Sequence, residues 1–166
     1  MQFMMSRRGM LSSIVATTVL VGATGALAAD PKEIANQVYQ AYVEAMTRTN
    51  AALEGFPEPT PEIAETVDAI KEDSVTKLVA LGHEIAAMSD ADRKTVEGVV
   101  SSSVSSIHTK PETKDVYAGY QAVWGAYVGG DQEFFNKIKS LNILTQYAFF
   151  DLLRKQEPEE ADRLGV

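Results

Sequence analysis

Residues 61–88 read PEIAETVDAIKEDSVTKLVALGHEIAAM. Ile63, Val67, Ile70, Leu78, Leu81, Ile85 and Met88 recur at helical steps, mostly three or four residues apart. Such spacing collects them on one face of an α-helix, about 40 Å long at 1.5 Å per residue. Thr60 before Pro61 is a start signal, because a threonine can cap the first amides and proline suits the first turn. A helix of this length with an apolar stripe must lay that stripe on other helices.

Reading outward, the neighbouring segments follow the same period. On the N-terminal side Asp30 and Pro31 open a first helix that carries Ile34, Val38, Ala41, Ala45 and Met46, with Tyr39 and Tyr42, and ends near Gly55. The link FPEPTPE, residues 56–62, holds three prolines and cannot be helical throughout. On the C-terminal side Ser89 and Asp92 mark a third helix with Val96, Val99, Val100, Val104 and Ile107 on its apolar face. The run VVSSSVSS, residues 99–106, is poor in helix formers and also reads as a strand. Pro111 opens a fourth helix, which ends at Gly129-Gly130. Asp131 caps a fifth, faced by Phe134, Ile138, Leu141, Thr145, Ala148, Phe149 and Leu152, which Pro158 stops. PEEADRLGV, residues 158–166, is a short helical or frayed tail. There is no hairpin signal. The expectation is an all-α protein, an antiparallel bundle of four to five helices.

The first 28 residues are of another kind. Arg7 and Arg8 are the only charges before Asp30, and Gly9 to Ala28 are apolar, small or hydroxylated. A basic start, an uncharged middle and the small pair Ala26 and Ala28 make an export signal cleaved after Ala28. SRRGML, residues 6–11, resembles the twin-arginine export pattern, with Met10 where phenylalanine is common. The resemblance implies delivery of a folded protein to the periplasm. The general secretory route, or an uncleaved anchor, are the alternatives. The expected organisation is a signal peptide over residues 1–28 and one helical domain over residues 29–166.

Composition narrows the function classes. The formal net charge is −8, and the part after residue 28 is more acidic still, since the signal removes two arginines and no acid. That balance opposes nucleic-acid partners and anionic membrane surfaces; membrane contact is expected only through an uncleaved signal. With no cysteine there are no disulfides, thiolate metal sites or thioether-bound haem. His83 and His108 are the only histidines, and neither belongs to a Glu-x-x-His or H-E-x-x-H pattern, so both read as surface residues and no metal site is expected. No nucleophile elbow, phosphate loop or calcium loop is present, and no pattern names a catalytic residue or a cofactor.

Two stretches stand out. In DVYAGYQAVWGAYVGG, residues 115–130, Tyr117, Tyr120, Trp124 and Tyr127 share one arc of the fourth helix, a candidate site for a flat or apolar ligand. Gly119, Ala122, Ala126 and Gly129 fall on a nearly opposite arc, where a neighbouring backbone could approach. In SLNILTQYAFFDLLRKQ, residues 140–156, Ile143, Tyr147 and Phe150 form a second stripe at i, i+4 and i+7, a candidate subunit or partner interface. Core packing with hydroxyls reaching partners is the plainer reading of the first arc, and cover by the first helix or the tail is the plainer reading of the second stripe. The leading functional expectation is an exported, non-enzymatic helical protein acting by binding, an accessory or assembly subunit with a protein partner or a second copy of itself. A carrier of a small apolar or aromatic ligand between helices comes second, and an enzyme with a dispersed site third.

Overall fold

The computed structural model describes residues 30–166. The export segment, with Arg7, Arg8, Ala26 and Ala28, lies outside the described residues. Seven α-helices and one 3₁₀ helix follow one another without a strand among the described residues: α1 Pro31–Ala52, α2 Pro61–Ala86, α3 Asp90–Ser105, α4 Lys114–Tyr127, α5 Gln132–Ser140, the 3₁₀ helix Leu141–Ala148, α6 Phe150–Gln156 and α7 Pro158–Leu164. The protein is all-α. No helix among the described residues is long and apolar enough to cross a membrane.

The long helices begin where local chemistry starts them. Asp30 accepts from the Lys32 amide, Thr60 from that of Ile63, Ser89 from that of Asp92 and Asp131 from that of Phe134. Each carboxylate or hydroxyl satisfies an amide that has no partner within its own helix. The run 99–106 is helical up to Ser105, so the strand alternative falls: Val96 and Val100 face the core while Ser101, Ser102 and Ser105 face outward. The fourth helix starts at Lys114 rather than Pro111. The Thr113 hydroxyl is engaged earlier, donating to the Ile107 carbonyl at 2.9 Å and accepting from the Tyr39 hydroxyl at 3.2 Å, which fixes a turn before the helix.

Helix α1 is central and packs on α2, α3, α4 and the 3₁₀ helix. It buries Ile34, Val38, Tyr39, Tyr42, Ala45 and Met46 on more than one side. Arg48 meets Asp73 and Glu44 meets Lys77, so α1 and α2 run antiparallel. The buried hydroxyls Thr49 and Ser74 donate to the carbonyls four residues back, which removes the cost of burying them.

The predicted fifth helix is a correction. It is broken into α5, the 3₁₀ helix and α6, with Phe149 in non-helical backbone between the last two. Leu141, Leu144 and Tyr147 recur every three residues and are all buried. The tighter 3₁₀ winding, at three residues per turn, stacks them in one row against α1 and α2, where an α-helix would fan them over about 120°.

Candidate functional site

Helix α3 rests on α1 and meets α2 only weakly, while α6 rests on the 3₁₀ helix and α7. Between α3 and α6 a groove of about 860 Å³ is left open. Its floor is Ile85 of α2, Val100 of α3 and Ala148 of the 3₁₀ helix; Val104, Phe149, Phe150 and Leu152 stand along its walls. The small side chains Ser101 and Ser105 keep the α3 wall low. The same serines that weaken α3 as a helix therefore hold the space open.

Gly82 shapes the groove from below. A Cβ at this position would lie 2.5 Å from Phe150 Cε1 and 3.2 Å from the Tyr147 carbonyl oxygen. Only the missing side chain lets the Phe150 ring seat on α2. The ring also meets His83 edge-on, with centroids 5.1 Å apart. Leu152 is 37% exposed beside it.

The rim is polar. Arg93 pairs with Asp90 and reaches the Ala86 carbonyl at 3.5 Å, while Arg154 pairs with Asp151 at 2.9 Å. Lys155 and Glu97 complete the charged lining. Gln146 also lines the groove, and its Oε1 is buried without a hydrogen-bond donor among the described residues. Such an atom costs free energy unless something else supplies the partner. A volume of this size, an apolar floor and a few polar groups at the edge are the ordinary features of a small-molecule site.

The aromatic arc of α4 lies elsewhere. Tyr120 is 0% exposed and donates to the Ile138 carbonyl at 2.7 Å; Tyr127 is buried and donates to the Pro57 carbonyl at 2.7 Å. Tyr117 and Trp124 are half-buried, and the Trp124 ring lies 5.3 Å from that of Phe135. Trp124 Nε1 is buried without an acceptor among the described residues. The four residues share a helix side, yet none of them lines the groove. Burial drives the Tyr120 hydroxyl far above its ordinary pKa and that of Tyr42 to about 12. The small arc corrects another expectation: Ala122 and Ala126 face solvent, because α4 packs chiefly on α1 and α5 through its other side. Gly119 is the exception, standing against the Asn50 amide that donates to the Val116 carbonyl.

Ile143, Tyr147 and Phe150 do not form one stripe, because the helix that would align them is broken at Phe149. Phe150 lines the α3–α6 groove, whereas Ile143 and Tyr147 line a charged hollow of about 570 Å³ beside α7. Tyr147 donates to Glu160 at 3.0 Å, and Arg163 holds Glu160 and Glu72 together. His83 and His108 are exposed and sit on separate elements. Among the described residues no three His, Asp or Glu side chains gather as a metal site would need.

The groove was not legible as a site in the sequence, since its walls come from three segments. Its one local sign was the serine-valine run of α3. Comparison of the chain with protein families, curated proteins and solved structures gives no match.

Proposed function

We propose that this is an exported, non-enzymatic binding protein that holds a small, apolar-bodied ligand in the groove between α3 and α6. The observation that carries the reading is the groove itself: about 860 Å³ over Ile85, Val100 and Ala148. Export rests on the resemblance of residues 6–11 to a twin-arginine signal. Native mass spectrometry of the protein purified from its own cells tests the binding reading. Added mass of a few hundred daltons is expected, and Ser101→Trp, which fills the groove from an exposed position, is expected to abolish it. The same added mass retained by that variant would refute the assignment.

An accessory or assembly role draws support from a different surface. Phe56 is 51% exposed with φ at +55°, and Val128 is 59% exposed. Both lie at the end of the bundle where Tyr127 bonds Pro57. An aromatic side chain displayed on left-handed backbone fits a protein contact. Size-exclusion chromatography with light scattering tests it: Phe56→Asp is expected to dissociate an assembly that the unaltered protein forms, and a monomer in both cases would end this reading.

A further inference from the structure

We infer that the ligand of the groove is an amphipathic oxyanion: an apolar chain or ring on the floor and a single carboxylate-like head at the α6 wall. The inference rests on the groove being a ligand site, and it adds the chemistry of the head group.

The charges are unevenly placed. The chain as a whole carries −8, yet three cations and two carboxylates line the groove. On the α3 wall Arg93 is already paired with Asp90, and Glu97 stands one turn further on. On the α6 wall Arg154 and Lys155 are adjacent; their local carboxylate, Asp151, is fully exposed, and Lys155 has no acid partner among the described residues. A carboxylate in open water screens its neighbour weakly compared with a head group seated between two cations. Arg154 supplies a guanidinium fork that matches an oxyanion, and Lys155 a point charge. The floor beneath offers no charged group to a polar ligand, so the body of the molecule must be apolar. A wholly neutral ligand would leave Lys155 without use, and a cation would be repelled.

Isothermal titration of the purified complete chain with decanoate and with decan-1-ol, both below their aggregation limits, separates the two layers of the reading. The expected result is decanoate binding about tenfold or more tighter than decanol. The double change Arg154→Gln with Lys155→Gln is expected to remove the advantage of decanoate over decanol. Both side chains are exposed, and circular dichroism checks that the helices persist. Equal binding of decanoate and decanol, or an advantage that survives the double change, would overturn the oxyanion head while leaving the groove as a ligand site. Binding of neither would overturn both.

Discussion

The Phe150 ring occupies the place that a side chain at Gly82 would take, with Cε1 2.5 Å from the position of that missing Cβ. The contact joins α2 to the start of α6 and sets one wall of the groove. Gly82→Ala therefore sets two effects against each other. Alanine favours the helix by about 1 kcal/mol over glycine. Crowding in a packed place costs about 1–3 kcal/mol, less where a ring can swing away, but here the Tyr147 carbonyl at 3.2 Å limits the escape. The melting midpoint is expected to drop by only a few degrees, while ligand binding in the groove falls sharply because Phe150 is displaced into it. Thermal melts alongside a binding isotherm check the split.

The hydrogen bond from Tyr147 to Glu160 ties the C-terminal helix to the body of the protein. The Arg163 guanidinium, followed by the Tyr147 hydroxyl, holds the Glu160 carboxyl below its ordinary range, against the opposing effect of burial. Burial first, then Glu160, pushes the Tyr147 hydroxyl above its own. A depressed carboxyl stabilises above its unfolded pKa and stops doing so as pH falls through the folded value. A raised phenol stabilises below its unfolded pKa and stops as pH rises through the folded value. Attachment of α7 is thus expected to weaken in acid, below the usual carboxylate range, and in alkali, above about pH 10. Amide exchange in residues 158–164 against pH would show both limbs. Glu160→Gln is expected to remove the acid limb alone, and Tyr147→Phe the alkaline contribution of that phenol.

Phe56 and Leu53 share the turn after α1 but not its energetics. Leu53 is fully buried, so Leu53→Ala is expected to cost about 2–5 kcal/mol. Phe56 sits in the left-handed region and is half exposed. Left-handed backbone costs a non-glycine residue about 1–2 kcal/mol. Relief of that strain in Phe56→Gly offsets the glycine entropy and the lost ring contacts, so stability is expected to stay within about 0.5 kcal/mol. Denaturant unfolding of the two variants tests the contrast.

Tyr120 presents the opposite case to an exposed aromatic. Its hydroxyl, fully enclosed, has the Ile138 carbonyl as its partner at 2.7 Å. Tyr120→Phe is expected to cost about 1–2 kcal/mol through loss of that bond. It should leave groove binding intact, because α4 does not line the groove. A binding loss matching the stability loss would contradict this separation.

The helix starts were readable because their causes are local: Asp30 and Pro31, Thr60 and Pro61, Ser89 and Asp131 each act within a few residues. The break at Phe149 was not. No glycine or proline marks residues 132–157, and apolar side chains there fit a helical period well enough to suggest one helix. What accompanies the break is the packing of Leu141, Leu144 and Tyr147 in one row against α1 and α2, which is a tertiary effect. The groove shares that origin. Ser101, Gln146 and Leu152 are unremarkable in sequence and meet only when α3 and α6 stand apart. The aromatic arc drew attention for the opposite reason: its residues are adjacent by period, and two of them, Tyr120 and Tyr127, prove to be core with satisfied hydroxyls.

The most direct measurement of the central claim is a ¹H–¹⁵N correlation titration of the labelled protein with decanoate. Shifts concentrated on Ala86, Ser101, Ser105, Gln146 and Leu152, saturating with one equivalent, are the predicted result. Shifts centred on Tyr117 and Trp124, or spread evenly over the surface, would contradict the assignment of the α3–α6 groove as the binding site.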